Sequence, residues 1–164
     1  MAGKIHLYLA DDHRRLEMLL ARATADPENI DPASYAGFRT GLLKHIGMEE
    51  KILLPAAKKG TGAPLPLAAR LRLDHGALAA LLVPPPTTAI VEAIRAILER
   101  HNLIEEGEGG IYDQAERAAG ADAGELLSRL KNFPDIKVLP HVDNAFVMEA
   151  ARRAVARAGY DLEV

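Results

Sequence analysis

Apolar residues recur at every third or fourth position through most of the chain, and this spacing predicts amphipathic α-helices. The first such stripe consists of Leu9, Leu16 and Leu20 and predicts a helix over about residues 4–25. The strict alternation of apolar and polar residues that is typical of strands is nearly missing. The hydrophobic pattern therefore predicts an all-α chain.

Capping and proline signals predict where five further helices begin and end. The second helix begins at Asp31-Pro32, an N-cap followed by proline in the first turn, and Pro55 is expected to bend or end it. The remaining helices are expected over about residues 67–82, 88–112, 122–132 and 142–158. Several glycines in the run 107–110 are costly inside a helix, so an irregular end is predicted for the fourth helix.

The first four helices form two pairs joined by short connections. For such pairs an antiparallel up-down-up-down four-helix bundle is the economical packing. Residues 1–118 are predicted to form this bundle, and residues 119–164 a C-terminal extension of one or two helices packed on the same domain. The last helix could simply cover the bundle or form a dimer contact, so a monomer and a homodimer are both compatible with the sequence.

The composition excludes several classes of function. The 164 residues carry a formal net charge of −3 and only 4% aromatic side chains, which argues against nucleic-acid binding. Cysteine is absent, so disulfides, zinc fingers, thiol catalysis and cysteine-ligated iron–sulfur clusters are excluded. We recognise no secretory signal and no run of roughly 20 apolar residues, so a cytoplasmic protein without a membrane partner is expected.

A histidine-centred pattern occurs twice in the chain and carries its candidate chemistry. Each copy opens with an Asp-His pair and continues with a second histidine, which is followed four residues later by two consecutive glutamates. Residues four apart lie on one face of an α-helix, so this histidine and the first glutamate should face the same way. The candidate metal ligands are His13, His45, Glu49, His75, His101 and Glu105.

Four imidazoles and two carboxylates that face one bundle core would form a two-metal site. Glu49 and Glu105 share their helix faces with apolar residues, and a buried carboxylate is costly unless it is paired or bound to a metal. If both carboxylates bridge, each metal has two nitrogen and two oxygen ligands. This donor set suits iron, manganese or zinc, and no soft ligand is present to favour copper(I). A set of unrelated surface or core residues would not explain the duplicated order.

Four neighbouring residues are candidates for an extra ligand or a supporting role. Glu108 and Tyr112 follow His101 by seven and eleven positions, so both can point along the metal stripe. Glu108 is equally explained as a solvated acid. Glu17 follows a ligand histidine by four positions, and a solvated acid is again the simpler interpretation. His6 shares a helix face with the first ligand, but a frayed terminal histidine is the simpler interpretation.

Acidic residues also stand directly beside the predicted ligands. Glu50 and Glu106 turn about 100° away from the ligand face of an α-helix and are expected at the surface. Asp12 and Asp74 precede their histidines. They are expected either to hydrogen-bond locally or to orient a metal-ligating histidine, as metal ligands commonly require.

In the order and spacing of these residues the chain resembles the hemerythrin family, specifically its His-His-Glu cation-binding branch. The resemblance covers about residues 5–117 and rests on the two Asp-His openings and the two His-x-x-x-Glu-Glu segments. It implies an antiparallel four-helix bundle that holds a non-heme di-iron centre. The chain departs from the oxygen-carrying members, because Leu71 and Ala79 leave no fifth histidine near His75 and Glu105 replaces an aspartate.

Three classes of function are compatible with these residues and with this resemblance. The first is a di-iron protein that binds or senses oxygen or nitric oxide, or serves iron and redox homeostasis, with a separate redox or signalling partner protein. The second is an oxidoreductase of the oxidase, peroxidase or nitric oxide reductase type, which takes electrons from an external donor. The third is a helical interaction protein that holds a structural metal.

Overall fold

The hydrophobic stripes form helices in the computed structural model, which describes residues 2–164. Within these residues the chain is all-helical and contains no strand, as predicted. A π-helical turn, Glu49–Leu53, joins the second helix to the third, and a 3₁₀ turn, Gly120–Asp122, joins the sixth to the seventh. The helices are α1 Lys4–Ala23, α2 Pro32–Met48, α3 Leu54–Thr61, α4 Ala68–Leu81, α5 Thr88–Glu106, α6 Ile111–Ala119, α7 Ala123–Lys131 and α8 Ala145–Arg157.

Side-chain caps begin α2, as the sequence predicts, and α5. The carboxylate of Asp31 accepts a hydrogen bond from the Ser34 backbone N–H at 2.8 Å, and Pro32 occupies the first turn of α2. The hydroxyl of Thr87 accepts one from Ile90 N–H at 3.2 Å and begins α5. These bonds satisfy N–H groups that have no partner within the helix.

Pro55 interrupts the second helix in an unexpected way. The helical backbone widens into the π turn before it, and Pro55 then stands in the first turn of α3. Proline has no N–H to donate and its ring crowds the carbonyl four residues earlier, so a widened turn absorbs it where a regular helix cannot. The chain therefore remains helical through the residues that carry Glu49.

The fourth predicted helix divides at the glycine run. The α5 helix ends at Glu106, and α6 begins only at Ile111, so the prediction of one helix through position 112 is wrong. Gly109 has a φ of 70°, in the left-handed region that glycine adopts at least cost. The turn changes the direction of the chain, and α6 packs against α3 and α1.

Two apolar clusters fill the interior, and the candidate ligands lie between them. The first cluster, here the α3–α6 cluster, includes Ile5, Leu9, Met48, Leu53, Leu71 and Ile111. The second, here the α8 cluster, includes Leu16, Leu42, Leu78, Ile97, Ala151 and Val155. Along the chain, α1 and α4 lead from the α3–α6 cluster to the α8 cluster, whereas α2 leads in the opposite direction. The order of the two clusters thus alternates along α1, α2 and α4.

The C-terminal residues cover the outside of the long helices. The α7 helix packs on the π turn and α1, and α8 packs on α4 through Ala151 and Val155. Arg39 ties the segment between α7 and α8 to the end of α4. It donates hydrogen bonds to the carbonyl oxygens of Leu82, after α4, and of Leu139, in the segment, at 2.7 and 2.8 Å. Within residues 2–164, none of the helices combines the length and apolar character that crossing a membrane requires.

Candidate metal centre

The six predicted ligands meet in one buried layer, and four long helices contribute to it. His13 comes from α1 and His75 from α4, while α2 with its π turn and α5 each contribute a histidine and a glutamate. Among residues 2–164, the buried ionisable side chains other than tyrosine are these six and Asp74. The ligands are His13, His45, Glu49, His75, His101 and Glu105, each at most 6% exposed.

The ligand atoms divide into two groups, and each glutamate belongs to both. In the first group, His45 Nε2 lies 3.2 Å from Glu49 Oε1, and His13 Nε2 lies 3.4 Å from Glu105 Oε2. All four donor atoms lie within 4.8 Å of one another, close enough to hold one metal ion. The contact between His45 and Glu49 is the one that the i, i+4 spacing predicts for residues on one helix face.

The second group uses the other oxygen of each carboxylate. His75 Nε2 lies 3.1 Å from Glu49 Oε2, and His101 Nε2 lies 2.9 Å from Glu105 Oε1. The two imidazole nitrogens are 3.2 Å apart. Both carboxylates therefore stand between the two groups, as bridging ligands would.

Two orphaned oxygen atoms show that the residues fit a bound cation. Glu49 Oε2 and Glu105 Oε1 are buried and have no hydrogen-bond partner, although an imidazole nitrogen lies about 3 Å from each. A buried carboxylate oxygen without a partner is costly in an apolar interior. A cation between the four donor atoms would satisfy both oxygens, and imidazole with carboxylate is a donor set that iron, manganese and zinc accept.

Outside this layer, a carboxylate supports the other nitrogen of every ligand histidine. His45 Nδ1 donates a hydrogen bond to Asp12 at 2.8 Å, and His101 Nδ1 lies 3.3 Å from its acceptor Asp74. A carboxylate can only accept, so Nδ1 carries a proton, and Nε2 is the nitrogen that can lose its proton and face a metal. This tautomer is the one that a metal-ligating Nε2 needs.

The remaining two supports are the glutamates expected at the surface. His75 Nδ1 donates to Glu50 at 2.7 Å, and His13 Nδ1 donates to Glu106 at 2.5 Å. Both acids are partly exposed, so they lie at the surface edge of the layer and each also contacts a ligand histidine. Each turns away from the core of its own helix but towards the histidine of a neighbouring helix.

The four supports link the two copies of the pattern into a closed ring. The aspartate before the first histidine of each copy holds the second histidine of that copy. The second glutamate of each copy holds the first histidine of the other copy. The four pairs are Asp12 with His45, Glu50 with His75, Asp74 with His101 and Glu106 with His13. The orientation of every imidazole therefore depends on a residue from another helix.

Neighbouring carboxylates raise the pKa values of three histidines in the layer. Burial alone would lower the pKa of a buried histidine, because it disfavours the charged form. The carboxylates outweigh this effect: Glu49 raises the pKa of His45 to about 10, and Glu105 raises that of His101 to about 10. The pKa of His75 is raised to about 9 for the same reason. A cation that binds these nitrogens near neutral pH must displace protons.

Of the four neighbouring candidates, only Tyr112 reaches the ligand groups. Its hydroxyl lies within 2.7–3.2 Å of donor atoms of the first group, and burial together with Glu105 and Glu49 raises its pKa. Glu108 is exposed, because it stands in the glycine turn instead of on a continuous helix. Glu17 is exposed on α1.

The fourth candidate, His6, packs against the ring of Tyr112 and contacts its neighbour Asp113. Its Nδ1 lies 2.7 Å from Asp113, the residue after Tyr112, and its ring meets the Tyr112 ring edge-on at 5.8 Å. His6 is therefore one contact removed from the ligand groups. The fold of α6 back onto α1 creates this contact, and sequence spacing alone could not reveal it.

A cavity of about 360 Å³ borders the layer between α1, α2 and α5. Leucines share its wall with charged side chains, among them Arg95 and Glu99, and it reaches His13. Asn102 also lines the cavity and has a buried Oδ1 without a hydrogen-bond partner. The cavity therefore adjoins the layer at His13.

No protein-family model, curated protein or solved structure matches the chain. The resemblance to hemerythrins therefore rests on the residues and their spacing. In the structure, one layer brings together two groups of donor atoms that could hold metal ions.

Proposed function

We propose that the chain is a hemerythrin-like, non-heme di-iron protein that binds or senses a small ligand such as oxygen or nitric oxide. One observation carries the proposal: two groups of buried donor atoms share Glu49 and Glu105, and each group lies against a different oxygen of each carboxylate. Two cations held side by side would explain this division.

The helices that cross the layer support the proposed frame, an antiparallel up-down-up-down four-helix bundle. Each of α1, α2, α4 and α5 contributes one histidine to the layer. The apolar clusters on both sides are continuous along these helices, and their order along α1, α2 and α4 requires alternating directions. A cofactor site in the bundle core, made from facing helices, is the usual construction in this class of fold.

Iron is the proposed resident metal, with manganese and zinc as alternatives that the same donors accept. When bound, a pair of irons supplies one-electron chemistry and a place for a small molecule to coordinate. The protein supplies the oriented imidazoles and the shared carboxylates, and its apolar clusters exclude bulk water. The proposal needs a separate electron donor or signalling partner, because the chain carries no flavin or nicotinamide motif.

Elemental analysis of protein expressed with added iron and purified without a tag tests the proposal. About two irons per chain are expected, and His45→Ala and His101→Ala should each lose metal from a different group. Glu92→Ala, an exposed position on α5, is the matched control and should keep both. Less than one metal per chain in a fully helical protein would overturn the proposal.

Stopped-flow mixing of the reduced protein with oxygen separates a binding protein from an oxidoreductase. A cavity larger than a diatomic molecule needs is the observation that favours the oxidoreductase alternative. Oxygen uptake that reverses under vacuum would support ligand binding. Continued consumption of an added electron donor would instead support an enzyme.

A further inference from the structure

We infer that Tyr112 is itself a ligand of one of the two metals, through its phenol oxygen. The inference rests on the proposed dimetal function and adds a seventh protein ligand to it. Tyr112 is fully buried, and its side chain comes from α6, outside the duplicated pattern.

All four donor atoms of the first group crowd around this one oxygen. It lies 2.7 Å from Glu49 Oε1 and 3.1 Å from Glu105 Oε2. It also lies 3.1 Å from His13 Nε2 and 3.2 Å from His45 Nε2. A phenol has one hydrogen to donate, so it can satisfy only one of the two carboxylate oxygens it faces. Once a metal has displaced the imidazole protons, hydrogen bonding from the phenol cannot satisfy all four lone pairs of the group.

A shared cation explains the same distances without that deficit. Nitrogen and oxygen ligands bind such metals at roughly 2.0–2.2 Å, so neighbouring ligands around one ion lie about 3 Å apart. The four separations from the Tyr112 oxygen, 2.7 to 3.2 Å, match that value. The hydroxyl thus stands where a fifth ligand of the first metal would stand.

The surrounding helices hold Tyr112 in this position. On α6, Glu116 accepts hydrogen bonds from the backbone N–H groups of Ile5 and His6 at 3.3 Å, at the start of α1. Asp113 lies 2.7 Å from His6 Nδ1. These contacts tie the helix that carries Tyr112 to the helix that carries the first ligand histidine, so little reorganisation is needed when a metal binds.

Tyr112 also makes the two metals unequal. It follows His101 by eleven residues, and the residue at the same distance after His45 is Ala56, which has no donor atom. The first metal would therefore have five protein donors and the second four. When Tyr112 binds, its O–H bond breaks and the proton leaves to solvent, while no electron is transferred.

The spectrum of the ferric protein tests the inference. A tyrosinate bound to ferric iron gives a visible charge-transfer band, and resonance Raman excitation in that band enhances the phenolate ring vibrations. We expect both signals in the wild type and their loss in Tyr112→Phe. Tyr35→Phe is the matched control, because Tyr35 is equally buried in the α8 cluster and its hydroxyl has no partner.

The outcomes separate this inference from the proposed function. Two irons per chain without phenolate vibrations in the wild type would overturn the inference alone, whatever happens to the variant. Signals that persist in Tyr112→Phe would overturn it as well. A wild type that binds no metal would overturn both proposals.

Discussion

Removal of one carboxylate of the supporting ring should weaken one metal and leave the other almost unchanged. Glu106 supports His13, a ligand of the first group, whereas Glu50 supports His75, a ligand of the second. Glu106→Ala is therefore expected to weaken the first metal and Glu50→Ala the second. The loss arises because the freed imidazole can rotate and becomes a weaker base.

The expected magnitude follows from the exposure of these acids. Supports of this kind are typically worth about 10- to 100-fold in metal affinity, or about 1.4–2.7 kcal/mol. Side-chain exposures of 30% for Glu106 and 26% for Glu50 let water replace part of each support. We therefore expect losses near the lower end, about tenfold. Glu106→Gln should lose less, because its amide oxygen can still accept the hydrogen bond.

Competition with a chelator of known affinity, at fixed pH, measures both binding steps. One step should shift in each variant, and the shifted step should differ between the two. Glu92→Ala, an exposed glutamate on α5, should leave both steps unchanged. If Glu106→Ala binds both metals as tightly as this control, the ring does not support the site.

The remaining predictions concern the carboxylate shared by both groups, the protonation of the ligand histidines, and two glycines in the helices α3 and α7. Glu49→Ala removes an oxygen from both groups, so elemental analysis should show at least one metal lost per chain. For the metal-free protein, we expect the free energy of unfolding in urea to fall between pH 7 and 10. The pKa of His45 is about 10 in the folded state and near 6.5 in the unfolded state, so its protonation stabilises the fold fully below about pH 6.5 and less as the pH rises. Gly60→Ala should lower stability by about 1–3 kcal/mol, since a Cβ there would overlap the Ala118 carbonyl. Gly124→Ala, with open space around it, should instead raise the melting temperature slightly.

The six proposed ligands could be expected to meet from the sequence because much of their spacing is local. A histidine and a glutamate four residues apart on one helix must share a face, whatever the helix packs against. The apolar residues next to them in the stripe fix which face points inward. Duplication of the pattern then supplies the second half of the site without any knowledge of the fold.

The supports could not be predicted in the same way, because they act between helices. Helix geometry places Glu50 and Glu106 away from the buried face of their own helices, and the structure agrees with this placement. The geometry of one helix says nothing about the neighbouring helix, whose histidine faces each acid at 2.5–2.7 Å. The usable signal was the repetition itself, since both copies carry a second glutamate directly after the first.

Tyr112 shows how one turn decides which residues join a site. On a single straight helix, Glu108 and Tyr112 would share the metal stripe with His101. The break after Glu106 exposes Glu108, and the new helix returns Tyr112 to the layer. The glycines predict the break in the helix. The direction of the chain after the break depends on how α6 packs against α3 and α1, which is a property of the folded protein.

The repeated and the unrepeated residues therefore have different consequences for chemistry. The repeated residues supply each group with two imidazoles and two carboxylate oxygens, and a site built from these alone would hold two equal metals. The segments beyond the two glutamate pairs break this equality: after Glu50 the chain continues through the π turn to Ala56, and after Glu106 it turns back to present Tyr112. A metal with an anionic fifth ligand favours its higher oxidation state more than its neighbour does. A difference between two metals bound in this layer would thus originate outside the repeated motif.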